Sequence, residues 1–335
     1  MTPANMLIAP EDAPRLSTNP SQKPPHATAG GKSIFVGPNG LRAGWRLLIF
    51  VVLVGVLLGA FVLIRAGGVQ GFREARKHAG QITVTPLLMF KVEGIAFLLL
   101  CIATLIMGKI EHRKFSEYGL SLRQALRKEF WFGLLLGFGA ISGTLLTMFL
   151  LHGFRVTGLA LHGTAILSSL LGWGIAFLAV GLFEEFSDRG YLQYTLASGI
   201  GFWPAAFVTS GWFALGHVFN PNENAVGCVA VVMFGLLLCL FLRRTGNLWC
   251  AVGFHLGYDW GQMFYGVPDS GIVPYHNLLH STLNGPRWLT GGIVGPEASV
   301  LTPIALLVVA LVFSRYYREN RYQTLKPHSS RVTAS

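Results

Sequence analysis

The sequence predicts an all-α fold: a polytopic membrane helix bundle with about eight transmembrane helices. Apolar runs of about 20 residues, the length that crosses the hydrocarbon core of a bilayer, recur through most of the 335 residues. Charged residues make up only 12% of the chain, against about 25% in a typical soluble domain. No alternation of polar and apolar residues of the kind that predicts a transmembrane barrel stands out.

Eight segments are apolar enough to be predicted as membrane helices. In chain order they are 45–64, 86–107, 131–151, 165–183, 202–219, 225–242, 248–264 and 299–313. The fourth is predicted to continue as helix to about Ser198 and to turn at 199–201, which would make it an antiparallel partner of the fifth. Glycines at i, i+4 spacing predict close backbone approach in the third and seventh segments, at 133/137, 139/143 and 253/257/261.

Composition divides the chain into four predicted parts. Residues 1–33, rich in Pro, Ser, Thr and Asn, predict a disordered N-terminal tail. Residues 34–164 hold N-terminal membrane helices and a basic cytoplasmic loop, and 165–266 form a core that carries the polar motifs. Residues 267–335 are predicted as an outer loop, the last membrane helix and a basic C-terminal tail.

The net charge of +11 indicates membrane topology more than nucleic-acid binding, because the basic residues gather in particular loops. With the N-terminus in the cytoplasm, nineteen of the 26 lysines and arginines fall on the cytoplasmic side. We therefore expect an integral membrane protein, in the plasma membrane, with both termini cytoplasmic and no nucleic-acid partner. The four cysteines form no CxxC pair, so disulfides and cysteine metal sites are not expected.

Two adjacent glutamates, Glu184 and Glu185, close the fourth apolar segment. A charge at the centre of a bilayer costs about 2.5 kcal/mol or more, and such residues usually face a protein interior or a wet cavity. Arg189 follows Glu185 at i+4, so these two are predicted to pair. Glu184 is left free to face a cavity. The alternative is an interfacial ion pair with a solvated acid beside it.

Two histidine motifs lie on later apolar helices: Phe213-x-x-x-His217 and His255-x-x-x-Asp259. Either histidine could be a hydrogen-bonded core residue, and His255 with Asp259 could be a structural pair, a metal-ligand pair or a clamp for negative charge. At about 1.5 Å per helical residue, Glu184 and His217 both lie roughly 22–24 Å from the turn at 199–201. The seventh helix reaches a similar level, so one shared polar cavity is predicted.

A cavity with these side chains suits hydrolysis of an amide bond. A carboxylate assisted by a histidine can activate a water molecule, and a second histidine with a polar neighbour can stabilise the oxyanion. Two histidines and a glutamate could alternatively hold Zn²⁺, which would acidify the water directly. The HExxH signature of zinc proteases is absent.

In this order on membrane helices, the motifs resemble the CPBP family of CAAX proteases and bacteriocin-processing enzymes, also called the ABI family. That family's pattern is EExxxR, then FxxxH, then HxxxN or HxxxD. Segments 113–120 and 190–192 are also similar to the family. The resemblance covers about residues 109–266, with 165–266 as the catalytic core.

The resemblance implies an intramembrane endopeptidase acting on a peptide or a membrane-anchored protein, with a cavity that opens toward the cytoplasm. By position, the implied catalytic residues are Glu184 and His217, which activate the water, and His255 and Asp259, which stabilise the oxyanion. The implied supporting residues are Glu185, Arg189 and Phe213.

The family resemblance leaves the metal question open. A Zn²⁺ ion, if present, would be held by Glu184, His217 and His255, and a metal-free glutamate mechanism suits the same residues equally. Asp259 stands where Asn is commoner in the family. Because a carboxylate donates no hydrogen bond unless it is protonated, this favours a metal or a proton shuttle slightly.

Two other functions fit a membrane bundle with these polar groups. One is a non-proteolytic bacteriocin self-immunity protein or scaffold that keeps the same fold, since fold alone does not fix function. The other is a proton-coupled transporter, whose relay would also use Glu, His and Asp within the membrane. No internal repeat of the transporter kind supports the latter.

Overall fold

The computed structural model describes residues 36–37, 40–77, 83–218, 220, 223–272 and 275–325. These residues form a bundle of helices, which confirms the predicted all-α class. The predicted disordered tail at 1–33 lies outside the described residues. The helices are α1 (Ala43–Arg65), α2 (Val69–Lys77), α3 (Pro86–Ile110), α4 (Lys128–Leu150), α5 (Thr164–Phe186), α6 (Gln193–Ile200), α7 (Phe202–His217), α8 (Ala225–Thr245), α9 (Trp249–Tyr265), α10 (Arg287–Thr290) and α11 (Leu301–Tyr316).

Each of the eight predicted membrane segments coincides with one of these helices. Within the described residues, five helical stretches are long and apolar enough to cross a membrane: α1, α3, α4, α5 continued through α6, and α8. Helix α11 is apolar but has only 16 residues, and α7 and α9 have 16 and 17. The chain is therefore an integral membrane protein, while the number eight stays a prediction.

The helix ends follow local sequence signals. The Thr85 hydroxyl accepts a hydrogen bond from the Leu88 amide at 3.2 Å where α3 begins, and a proline occupies the first turn. Asn224 caps α8 by accepting from two backbone amides. Gly201, with φ of +88°, makes the predicted turn between α6 and α7. This turn brings α7 back alongside α6.

Helix α5 does not pass into α6 as a regular α-helix. Residues Ser187–Leu192 form a π-helical segment, and Gly190 inside it has non-helical angles of φ −80° and ψ −118°. The predicted continuation to about Ser198 is therefore confirmed, but with an irregular segment in the middle. Such π segments are often found at functional sites. This one contains Arg189.

Helices α4 and α9 pack backbone to backbone through glycines. A Cβ added at any of four glycines would lie 2.1–2.2 Å from a carbonyl oxygen of the opposite helix: Gly133, Gly137, Gly253 and Gly257. This confirms close approach at two of the predicted glycine ridges. Gly139 and Gly143 face open space within the described residues, so close approach at this ridge stays a prediction. Their i, i+4 spacing lies on the side of α4 away from α9.

Two short antiparallel strand pairs accompany the helices, and sequence periodicity did not predict them. Strands β1 (Val36–Gly37) and β2 (Gly40–Leu41) pair before α1. Strand β3 (Phe154–Leu159) pairs with β4 (Leu279–Leu283), which ties the loop after α4 to the loop after α9. All residues of β3 except Phe154 are exposed, so no buried face leaves a period-two pattern in its sequence.

The glycine contact gives a matched pair of variants. We expect Gly137→Ala to destabilise the protein by about 1–3 kcal/mol, because the new methyl group would force α4 away from the Phe254 carbonyl. Gly139→Ala puts the same group in open space and should leave stability unchanged or slightly raised. Thermal unfolding in detergent measures both. Equal melting temperatures for the two variants would contradict the α4–α9 packing.

Candidate active site

A cavity of about 400 Å³ lies between α3, α5, α7, α8 and α9. Its wall includes Glu184 from α5, His217 from α7, and His255 and Asp259 from α9. The structure thus brings together side chains from the three motifs, as the helix spacing predicted. Their catalytic roles stay predictions.

Glu185 and Arg189 form a buried ion pair. The Arg189 Nη1 atom lies 3.3 Å from Glu185 Oε1, and neither side chain is exposed. The i, i+4 pairing predicted from the sequence is therefore confirmed. Glu184, the neighbouring acid, keeps 28% of its side chain exposed and faces the cavity. The two adjacent glutamates thus occupy different environments, because successive helical residues point about 100° apart.

Arg189 also fixes the second motif. Its guanidinium carbon lies 4.6 Å from the centroid of the Phe213 ring, a cation–π contact. Phe213 in turn lies one helical turn before His217, and the two rings are 4.6 Å apart. Gly235 on α8 provides space for Arg189, since a Cβ there would lie 2.7 Å from Nη2. No sequence pattern identifies Gly235, because the need for a small residue arises only from contact between different helices.

His255 is the centre of the polar network. Its Nδ1 lies 2.8 Å from Glu185 Oε1. Its Nε2 lies 3.4 Å from Glu184 Oε2 and 3.4 Å from Asp259 Oδ2. The contact at Nδ1 is a hydrogen bond, and the imidazole donates it if Glu185 is ionised, because an ionised carboxylate only accepts. The two contacts of Nε2 are ion-pair distances. Helix α5 comes close enough for this because Gly181 lies against the Val252 carbonyl and the His255 Cβ.

His217 has a defined ring orientation. Its Nδ1 lies 2.9 Å from the Phe213 carbonyl oxygen, which can only accept, so Nδ1 carries the proton that is donated. In the neutral ring Nε2 is then the unprotonated nitrogen. The side chain is half-buried and lies on the cavity wall. A ring held in this way offers a proton acceptor to the cavity.

Sequence reasoning missed several acids on the cavity wall. The six carboxylates that line it are Glu93, Glu184, Asp188, Asp259, Asp269 and Glu297. Glu93 did leave a signal, as an acid inside the apolar α3. Asp269 and Glu297 left none, because they lie in loops without periodicity. Burial, together with the neighbouring Asp259 and Glu297, raises the pKa of Asp269 well above its usual range.

The side chains predicted for zinc do not lie close enough together to share one ion in this structure. Among the described residues, only one group of three or more His, Cys, Asp or Glu has all its ligand atoms within 4.8 Å of one another. That group is Asp259, Asp269 and Glu297, and it does not contain Glu184, His217 or His255. The proposed mechanism therefore uses no zinc ion.

A second polar network holds the π segment from the side of the basic loop that follows α3. Glu111, just after α3, accepts hydrogen bonds from Tyr191 and Arg46. Tyr118, from the basic segment that resembles the family, packs against Tyr191 with ring centroids 5.1 Å apart. Burial and the nearby Glu111 raise the pKa of Tyr118. The segment 113–120 therefore contributes to the site by supporting the residues next to Arg189.

The buried ion pair predicts a large stability effect. We expect Arg189→Gln to destabilise the protein by about 3–5 kcal/mol, because it leaves the Glu185 charge buried without its cation. Arg321→Gln is the matched control: it breaks an exposed pair with Glu319, which should change stability by less than about 1 kcal/mol. Thermal unfolding in detergent distinguishes the two. A melting temperature for Arg189→Gln equal to that of the control would contradict the role given to this pair.

Residues 165–261 match the sequence model of a family described as type II CAAX prenyl endopeptidase Rce1-like. The matched region runs from α5 into α9 and contains all three motifs. No curated protein matches the chain. The match confirms the resemblance inferred from the motifs: over this region the chain is similar to a protease family and carries the CPBP pattern.

Proposed function

We propose that this protein is a CPBP-type intramembrane endopeptidase in which Glu184 and His217 activate the hydrolytic water. The observation that carries the proposal is the shared cavity wall of Glu184, His217, His255 and Asp259. The match of 165–261 to an endopeptidase family supports the same reaction class.

Water activation is assigned to Glu184 because it is the glutamate of the pair that has no arginine partner and faces the cavity. Glu185 is held by Arg189 and His255, whereas Glu184 is partly exposed to the cavity. A water molecule between the Glu184 carboxylate and His217 Nε2 would meet two proton acceptors. General-base assistance of this kind contributes about 10²–10⁴-fold to a rate.

His255 is assigned to the oxyanion. Both of its ring nitrogens meet carboxylates, so the ring carries both protons and a positive charge in the proposed resting state. When the peptide carbonyl enters, Nε2–H turns its hydrogen bond from a carboxylate to the developing oxyanion. Asp259 orients the ring from the same helix face.

The proposed reaction has two steps. The water oxygen forms a bond to the scissile carbonyl carbon while its proton passes to Glu184, and the oxyanion that results is stabilised by His255. The carbon–nitrogen bond then breaks, and Glu184 returns the proton to the leaving amine. The products are a free carboxylate and a free amine, with no change of oxidation state.

The proposed substrate is a peptide or a membrane-anchored protein tail in the plasma membrane, cut on the cytoplasmic side. The apolar part of the cavity wall supports this, since it can accept hydrophobic side chains: Phe177, Val180, Phe183, Trp212 and Phe234. Prenylated C-terminal peptides are the class to test first, because the matched family is described as CAAX prenyl endopeptidases.

Removal of the water-activating groups tests the proposal directly. We expect Glu184→Gln and His217→Ala each to lower cleavage of a peptide library, prenylated CAAX peptides included, by at least about 10²-fold. Glu319→Gln, at an exposed acid far along the chain, should cleave like the parent. Mass spectrometry of the products from purified protein in liposomes measures the rates. Equal cleavage by Glu184→Gln and the parent would show that the assignment to Glu184 is wrong. No cleavage by the parent would favour a non-proteolytic role.

The metal-free mechanism makes a separate prediction. We expect a zinc-selective chelator to leave cleavage unchanged, since the proposed mechanism requires no metal among Glu184, His217 and His255. Elemental analysis of the purified protein accompanies the rate measurement. Cleavage that is lost on chelation and restored by Zn²⁺ would instead establish the zinc alternative.

A further inference from the structure

Three carboxylates from three separate elements meet at one part of the cavity wall. Asp259 comes from α9, Asp269 from the loop that follows it, and Glu297 from a short 3₁₀ helix before α11. One ligand oxygen from each can be chosen so that all three lie within 4.8 Å of one another. None of the lysines and arginines in the described part of the chain forms a salt bridge with these three acids. The imidazole of His255 lies 3.4 Å from Asp259.

The second and third carboxylates are held in place by neutral donors. The Gln262 Nε2 atom donates to Asp269 Oδ1 at 3.0 Å and to Glu297 Oε1 at 2.9 Å. The Ser270 hydroxyl donates to Glu297 Oε2 at 2.6 Å. Since Gln262 is fully buried, its amide fixes both acids in one rigid arrangement. These donors orient the acids but bring no positive charge to offset them.

Two buried oxygens beside the cluster have no hydrogen-bond partner among the described residues. The Tyr258 hydroxyl is one: the residue is 2% exposed and lies on the same cavity wall, directly before Asp259 in the chain. The other is Oε1 of Gln262, whose amide nitrogen is the shared donor. A buried polar group without a partner costs about 1–3 kcal/mol. A ligand held by the three acids would place a partner within reach of these oxygens.

We propose that Asp259, Asp269 and Glu297 bind one hard divalent cation of the Ca²⁺ type in the cavity. Oxygen donors without sulfur or imidazole suit Ca²⁺, Mg²⁺ or Mn²⁺. Two Ca–O bonds of about 2.3–2.6 Å span separations of the size found here, and Ca²⁺ tolerates irregular geometry. Mg²⁺ requires bonds of about 2.0–2.1 Å in a near-ideal octahedron and should bind more weakly. The ion would supply positive charge to Asp269 and Glu297, which form no salt bridge within the described residues.

This cation site is distinct from the residues that are assigned to water activation. Glu184 and His217 are not among its ligands, and the predicted zinc set shares no residue with it. Asp259 is the link to the proposed oxyanion side, because it also lies 3.4 Å from His255. The ion would therefore fix the carboxylate that orients His255 and would join α9 to the segment before α11.

Calorimetric titration of the full-length protein in detergent with CaCl₂, after chelator dialysis, tests the proposal. We expect one Ca²⁺ per chain, with a Kd on the order of 10⁻⁴–10⁻³ M as in extracellular calcium modules, and a rise in melting temperature. The double variant Asp269→Asn, Glu297→Gln should bind at least tenfold more weakly. Its amide oxygens can still accept from Gln262, and Asp269→Asn alone provides a milder variant if the double variant does not fold.

Glu93→Gln is the matched control, because Glu93 lies on the same cavity wall but outside the three ligands. It should keep the parent affinity. No Ca²⁺ binding by the parent would overturn the proposal, and so would an equal loss of affinity in Glu93→Gln, which would indicate general attraction to an acidic cavity. Binding is measured without substrate, so a protein that binds Ca²⁺ but cleaves no peptide would refute the proposed function and leave this site standing.

Discussion

The buried contact of Glu185 with Arg189 and His255 is the interaction on which the polar interior of this protein depends. Charges within an apolar bundle are costly to bury unless each has a partner. Here a single carboxylate oxygen contacts a guanidinium from the π segment and an imidazole from α9. The same guanidinium lies over the Phe213 ring of α7. One ion pair therefore fixes the relative positions of three helices.

This arrangement explains why two adjacent glutamates can have different properties. Glu185 has its charge offset by Arg189 inside the bundle, and it anchors His255. Glu184, one residue earlier, lies on the cavity wall and contacts the other nitrogen of the same imidazole. The irregular segment Ser187–Leu192 matters here, because its π-helical turn is where Arg189 sits. The irregular segment thus holds the arginine that offsets the buried charge of Glu185.

Glycines allow the helices to approach closely enough for this arrangement. Close approach of α4 to α9 and of α5 to α9 places His255 deep in the bundle while its ring still reaches the cavity. Gly235 leaves room for the arginine. The helix packing leaves six carboxylates of the described residues on the cavity wall, although the chain has a net charge of +11. The acidic cavity therefore contrasts with the basic loops.

The apolar runs predicted the helices, residues 199–201 the turn before α7, and the i, i+4 spacing the Glu185–Arg189 pair. All of these depend on contacts within one helix or across one short turn, where residue spacing translates directly into distance. Asp269 and Glu297 could not be predicted, because their position depends on loop conformations and on Gln262 from another element. Gly139 and Gly143 have the spacing of a packing motif, but spacing alone does not identify the partner, and the face they occupy has no partner helix within the described residues.

The most direct test of the account is an experimental structure of the Glu184→Gln variant with an uncleaved peptide. The account predicts that the scissile carbonyl oxygen lies within hydrogen-bond distance of His255 Nε2, with a water molecule between residue 184 and His217. A peptide bound with its backbone outside this cavity, or with His217 and His255 on opposite sides of the bundle, would contradict it.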